Sequence, residues 1–390
     1  MSLIKVYQPK YYKSFSCTGS QCKNNCCHDW QIEIDKITYD KYMSLDEETK
    51  NEFDKKLRIV KNQQHAACIL MNSDKTCSFL DKKGLCTIQL RFGHDYLSET
   101  CRTYPRVFCL VGGSPECFLE LSCEVAARLI LFDKDYMNFE EKIVEKDDFV
   151  HEGFTFNFNL DGSRYSKNEK AMDIFWKLRV ANIAILQTRR YTVRFRMLIL
   201  CLFMQEAAEL FKAGNDTNVI LLADNYINRL DTGYYNDLAA EMPHGAGRET
   251  DIVLDILREM CTKRFSPMLP FILKAKEAFD MDANLWTAPE DFDEKYTRYY
   301  DMYFADKEYI FENYLVHRVL IGGFPFNYKT KTDVLSNYVD MLAKYNIVEF
   351  LFTGICRSCM KFDKRQIIDC ISLFTRGYDH MRGGYLKAEE

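Results

Sequence analysis

From residue 166 onward apolar positions recur with a helical period. The pattern predicts helices at roughly 167–187, 192–212, 216–230, 249–263, 292–318, 331–345 and 363–382. Proline is scarce there, and turn signals such as Ala213-Gly214-Asn215 and Gly322-Gly323 fall between the segments. Ser166 with Glu169 reads as a capping box opening the first helix. Just upstream the period changes. Phe154, Phe156, Phe158 and Leu160 alternate with polar residues and lead into Asp161-Gly162, which predicts a strand ending in a turn. Nearer the N-terminus the pattern breaks into short helices and loops. Ser44 with Glu47 fits a capping box that opens a charged helix to about Val60. Residues 77–86 read as two short apolar pieces around a turn at Lys83-Gly84, and 124–132 read as a helix start. The expected fold is mainly α. An irregular, cysteine-rich metal-binding domain spans 1–136, a connector carrying a β-hairpin spans 137–165, and a larger α-helical domain spans 166–390.

Length and composition bound this picture. The chain has 390 residues, of which 47% are hydrophobic, enough for two or three domains with sizeable cores. A formal net charge of -5 gives no global basic signature, so no nucleic-acid partner is expected. Arg189, Arg190, Arg194 and Arg196 form a local basic group that reads equally as a salt-bridged helix face or a polyanion site. The most apolar run, 197–204, is far too short to span a bilayer, and the start lacks the long apolar stretch of a signal peptide. The expectation is a soluble, cytoplasmic protein with no membrane partner.

Cysteine changes the picture most. Of sixteen, eleven fall between Cys17 and Cys123. Cys17, Cys22, Cys26 and Cys27 sit within eleven residues, a density that core filling does not explain but a soft metal centre does. In a reducing compartment such a count points to metal rather than disulfides. Cys77, Cys86, Cys101 and Cys123 complete eight candidate ligands. Zinc and cubane iron–sulfur sites each take about four protein ligands, so eight thiols suit two sites, or one site with the rest packing. Cys68, Cys109 and Cys117 read as bystanders, and His28 as a neighbour of the site. Cys356 and Cys359 have CxxC spacing but read as two helix positions one turn apart. Cys22 and Cys26 give the first interval of the CxxxCxxC run of radical-type methyl-donor enzymes. Asp29 stands where the third cysteine is required, so a conventional radical mechanism is not expected.

The stretches CTGSQCKNNCCHDWQIEID, CSFLDKKGLCTIQLRFGHDYLSETCRTYPR, LELSCEVAARL and FENYLVHRVLIGGFPF, in that order, resemble the flagellin lysine N-methylases, a branch of the cysteine-cluster proteins described as zinc- or iron-chelating. The resemblance covers most of the chain and is sharpest between residues 8 and 130. It implies methylation of lysine ε-amines on flagellin, with S-adenosylmethionine as donor and a 4Fe-4S cluster taking part. It maps the metal onto Cys17, Cys22, Cys26, Cys27, Cys77, Cys86, Cys101 and Cys123. One departure is Glu124, where the family commonly has proline.

That chemistry makes demands. A free lysine has a pKa near 10.4, so reaching the neutral nucleophile at pH 7 costs about 4–5 kcal/mol. Apolar or aromatic walls, or a general base, must supply it. Tyr104, in CRTYPR, is the aromatic candidate and Arg102 joins it as a candidate catalytic residue. Arg102 and Arg106 can also balance cluster charge or hold a carboxylate, and Asp29 and Trp30 read as support. Gly245-Ala246-Gly247, the one GxG, follows no apolar strand and fails as a nucleoside loop. The expectation is therefore a donor bound directly at the cluster. Glu312, Asn313 and Tyr314 are candidates for contacting flagellin, with helix packing as the alternative. The competing reading of the whole chain is a non-catalytic module in which zinc or iron is structural.

Overall fold

The computed structural model describes residues 3–23, 25–28, 32–60, 65–111, 114–145, 169–241, 249–262, 266–282, 286–326 and 333–379. The expected strand at 154–160, Ser166, Asp29, Trp30 and the 245–247 motif lie outside them. The chain divides into two compact units, Met1–Ala127 with Phe139–Asn157 and Arg128–Asn138 with Phe158–Glu390.

Among the described residues the first unit is not irregular. It holds strands β1 (Leu3–Pro9), β2 (Glu33–Asp35), β3 (Leu57–Ile59), β4 (His65–Ile69), β5 (Arg106–Val111), β6 (Ser114–Leu119) and β7 (Phe139–Glu145). They make a four-stranded sheet in the order β5-β6-β1-β7 and a three-stranded sheet in the order β2-β4-β3. In the first, β1 runs parallel to β6 with Tyr7 opposite Glu116, and antiparallel to β7 from Leu3–Glu145 to Pro9–Phe139. β1 and β7 escaped the sequence reading because they pair across more than a hundred residues of chain, whereas Gly112-Gly113 between β5 and β6 was a local turn signal left unread.

Short helices α1 (Lys36–Met43), α2 (Glu47–Asp54), α3 (Thr87–Phe92), α4 (Glu99–Thr103) and α5 (Glu124–Leu131) fill in between, with the unit boundary inside α5. The Ser44 capping box does not form. Ser44 ends α1, and Asp46 caps α2 by accepting from Thr49 N at 3.0 Å and Thr49 Oγ1 at 2.8 Å. The carboxylate takes one donor on each of its two oxygens. The helix then stops at Asp54, well before Val60, because β3 begins at Leu57.

The core of this unit joins Ile34, Tyr42, Phe53, Ala67, Phe79 and Ile88. Tyr42–Phe53 and Phe53–Phe79 meet edge to face with centroids 4.7 and 4.9 Å apart. Cys27, Cys86 and Cys101 pack partly buried against this cluster, and Cys77 is inside it.

The second unit is helical: α6 (Glu169–Gln187), α7 (Val193–Lys212), α8 (Asp216–Asp231), α9 (Asn236–Glu241), α10 (Glu249–Thr262), α11 (Leu269–Ala278), α12 (Phe292–Phe304), α13 (Tyr309–Ile321), α14 (Val334–Ser358) and α15 (Lys364–Asp379). The single helix expected at 292–318 is two. The break after Phe304 lets Glu308 accept from Tyr300 Oη at 2.7 Å and from Val193 N at 3.0 Å. The helix expected to end at 345 continues to Ser358. Its second half is buried on all sides, so it shows no amphipathic period to read.

Gly354 lies where α14 touches α11. A Cβ built there would stand 2.5 Å from Ala275 Cα and 2.6 Å from Ala275 Cβ. Gly354→Ala is therefore expected to destabilise the protein by about 1–3 kcal/mol through overpacking. Urea unfolding checks this as a lower midpoint at an unchanged slope.

Candidate functional site

The eight expected cysteines all lie in the first unit and come from five separate stretches of chain. Cys17 and Cys22 flank a short 3₁₀ turn (Gly19–Gln21), opened by Gly19 at φ 57°. Gly19 N donates to Cys17 Sγ at 3.4 Å, and Thr18 Oγ1 shares a hydrogen bond of 3.1 Å with Cys22 Sγ. Cys27 N donates to Asn25 Oδ1 at 3.0 Å, and Cys27 O accepts from Cys77 N at 2.8 Å. That backbone bond joins the first run to the second motif. Cys86 precedes α3 and bridges to Leu80 across a turn in which Asp81 Oδ1 accepts from Lys83 N and Leu85 N. The expected turn at Lys83-Gly84 is in place. Cys101 lies in α4, its N–H on the cap residue Ser98 Oγ at 3.2 Å. Cys123 directly precedes α5, and its carbonyl accepts from Ala127 N at 2.8 Å.

Their electrostatics link them into one group. Cys101 is partly buried and its pKa is pushed up to about 12, first by desolvation and then by Cys26, Cys77 and Cys86. Burial raises Cys77 to about 11, with Cys86 and Cys26 adding to it. Cys123 also rises to about 11, by burial and then by Cys22 and Cys26, against the N–H groups of Ala126 and Val125. Cys27 is pushed far up by its hydrogen bond with Cys26, by burial, and by Cys101 and Cys77. Burial raises Cys22 too, with Glu124, Cys17 and Cys26 contributing. Cys26 thus acts on five other thiols, and through Cys22, Cys77 and Cys101 the group extends to Cys17 and Cys86. Each thiol disfavours ionisation of its neighbours. A cationic centre would reverse the sign of that coupling.

The three bystanders differ. Cys68 is buried in β4 and accepts from Arg58 Nη2 at 3.4 Å, and Cys117 is buried in β6. The Cys109 side chain lies outside the described residues. Among the described residues no cysteine is in a disulfide, and no three His, Cys, Asp or Glu side chains already stand at metal-holding spacing. The donor set itself, thiols on an apolar floor, suits a thiophilic iron–sulfur or zinc centre by its chemistry.

Tyr104 and Arg102 flank this group differently. Tyr104 Oη shares a hydrogen bond of 2.9 Å with Ser122 Oγ, which fastens the end of α4 to the residue before Cys123. Arg106 stacks on Phe15, 5.0 Å from the ring centroid. Arg102 Nε is buried and takes no hydrogen bond. His28 forms a β-bridge with Thr76. Sequence reasoning missed Ser98 and Asn25, which accept from the backbone N–H of Cys101 and Cys27, and Ser122, which holds Tyr104. Only Ser98, three residues before Cys101, carried a readable helix-cap signal.

In the second unit, Glu312 is fully buried and accepts from Arg189 Nε and Nη2 and, at 2.7 Å, from Arg196 Nη1. Asn313 Nδ2 donates to Asp133 O at 2.7 Å, and Tyr314 is buried. None of the three faces solvent, so helix packing is their role and flagellin contact is not. The basic group resolves the same way. Arg189 and Arg196 hold Glu312, and Arg194 holds Glu349. Cys356 is buried in α14 and Cys359 caps its end, as helix positions.

Among the described residues no helix is long and apolar enough to cross a membrane. No solved structure matches the chain. A family model described as the FliB lysine N-methylase C-terminal domain matches residues 179–388. The Lysine-N-methylase of Salmonella typhimurium (strain LT2) is 24% identical over 365 residues, 90% of this chain and 86% of that protein. The Lysine-N-methylase of Salmonella choleraesuis (strain SC-B67) matches at the same identity and coverage. The Flagellar biosynthetic protein FliU of Salmonella muenchen is 34% identical over 145 residues, 36% of this chain and 86% of that protein. With the family model covering more than half of its length, the chain belongs to the FliB lysine N-methylase family and is a lysine N-methyltransferase.

Proposed function

We propose that this enzyme transfers a methyl group from S-adenosylmethionine to lysine ε-amines of flagellin in the cytoplasm. A 4Fe-4S cluster is held by a subset of Cys17, Cys22, Cys26, Cys27, Cys77, Cys86, Cys101 and Cys123. The observation that carries the reading is that Cys27, Cys77, Cys86 and Cys101, distant in sequence, meet at one apolar cluster, with Cys77 N donating to Cys27 O at 2.8 Å. The flagellin substrate rests on the family and on the flagellar name of the FliU relative.

The overall reaction converts donor and lysine amine into S-adenosylhomocysteine, methyl-lysine and a proton. When bound, the cluster would supply a soft cationic centre with redox capacity. The protein's own residues do the rest. The aromatic floor of Tyr42, Phe53 and Phe79 beneath Cys27, Cys77 and Cys101 lowers the local dielectric, which favours the neutral amine over the ammonium. Tyr104 and Ser122 fix the turn that carries Cys123. Thr18 and Ser98 orient Cys22 and Cys101.

Protein purified without oxygen is expected to contain iron and sulfide. With methyl-labelled S-adenosylmethionine and flagellin it is expected to yield labelled methyl-lysine. Stoichiometric zinc with no iron would overturn the cluster reading, and absence of labelled lysine with an intact cluster would overturn the substrate reading.

A further inference from the structure

Arg102 follows Cys101 in α4 and is half-buried. Among the described residues its guanidinium donates no hydrogen bond and joins no ion pair, and its Nε is sealed from solvent. Arg196 also has a buried Nε with no hydrogen bond, but its Nη1 is held by Leu186 O and Glu312, whereas none of the Arg102 nitrogens donates to an acceptor among the described residues. Arg58 donates to the Cys68 sulfur, Arg91 to Glu52, and Arg189, Arg194 and Arg196 to Glu312 or Glu349. Glu99, three residues away on the same helix, is close enough to feel Arg102 but makes no ion pair with it. It lies in the field of Asp35 and His65, and burial keeps its carboxyl raised.

A sealed N–H without an acceptor is unfavourable, and a guanidinium with no acceptor at any of its nitrogens leaves room for an absent partner. Two partners deserve comparison. The negative charge of a thiolate-held cluster would stabilise a nearby cation over several ångströms, but it does not require an acceptor at the Nε position. A discrete anion does. The planar fork of Nε and Nη matches a carboxylate through two parallel bonds. Of the two substrates in the proposed reaction, the lysine side chain brings an ammonium, which Arg102 repels. The methyl donor brings an α-carboxylate.

We infer that Arg102 is the anchor for the α-carboxylate of S-adenosylmethionine, placing the donor's amino-acid end beside Cys101. The assignment makes Arg102 a binding residue for the donor. It rests on the donor reading given above.

The test is equilibrium binding to anaerobically purified, iron-loaded enzyme, with two probes. One is S-adenosylhomocysteine, and the other is the same molecule lacking only its carboxylate. Wild type is expected to prefer the intact molecule by about 10- to 100-fold, the range for a charge-assisted hydrogen bond. Arg102→Gln is expected to bind both equally, at the weaker level. Arg102→Lys, which keeps the charge and loses the fork, is expected to keep its iron and lose most of the preference. A full preference retained in either variant overturns the assignment. So does a variant that loses iron while its preference is unchanged, which would make Arg102 a partner of the cluster instead. If wild type binds neither probe, the donor reading fails, and Arg102 loses its ligand with it.

Discussion

On the proposed cluster, replacing Cys26 by serine is expected to strip most of the iron from the enzyme and to lower lysine methylation by at least about 100-fold, beyond what loss of a supporting partner costs at a metal site. Cys26 is singled out by position. Cys22, Cys27, Cys77, Cys101 and Cys123 all feel it, and no other thiol acts on so many. A serine hydroxyl is a hard, weak ligand for iron, so near-isosteric replacement removes the chemistry while sparing the packing. Cys68→Ala is the matched control. That residue is buried, and its sulfur accepts from Arg58. It is expected to keep iron and activity and to lose only stability. Iron and sulfide analysis, the absorbance of the cluster, and incorporation of labelled methyl groups check both variants. Equal iron in Cys26→Ser and wild type would remove Cys26 from the ligand set.

The contrast between Cys26 and Cys68 shows what the sequence made legible. Thiols gather only for a reason, so the motif spacing separated the eight grouped cysteines from Cys68 and Cys117. The backbone that carries them was not legible. β1 and β6 pair across more than a hundred residues of chain, and β2 and β3 are three residues each, too short for an alternating pattern to declare itself. The helix from Val334 hid its length because burial on every side erased its period. Charge was ambiguous in a similar way. Arg189, Arg194 and Arg196 read equally as a salt-bridged helix face or a polyanion site, because their partners Glu312 and Glu349 lie over a hundred positions away. Arg102 was visible as a residue beside a candidate ligand, and what sets it apart from those paired arginines is that none of its guanidinium nitrogens donates to an acceptor among the described residues.

Glu312→Ala is expected to destabilise the protein by about 3–5 kcal/mol, the cost of breaking a buried ion pair from one side. Glu312 is wholly buried, and its two oxygens take three bonds from Arg189, at 3.1, 2.9 and 2.9 Å, and one from Arg196 at 2.7 Å. The two arginines then respond differently. Arg189 keeps about a third of its side chain in water and can be solvated. Arg196 is almost fully buried and retains only Leu186 O and a 3.5 Å contact to Glu308, so an uncompensated charge stays in the core. Glu308 cannot take over, because Tyr300 and Val193 already hold it and burial raises its own pKa. At about 2–4 °C per kcal/mol for a unit of this size, the melting temperature should fall by on the order of 10 °C. Charge, not volume, is the cause, and a second variant separates the two. Arg196→Met combined with Glu312→Leu removes both buried charges and fills similar space, so it is expected to recover most of the loss. Calorimetry on the three proteins decides it: a double variant as unstable as Glu312→Ala alone would mean that packing around α13 carries the effect.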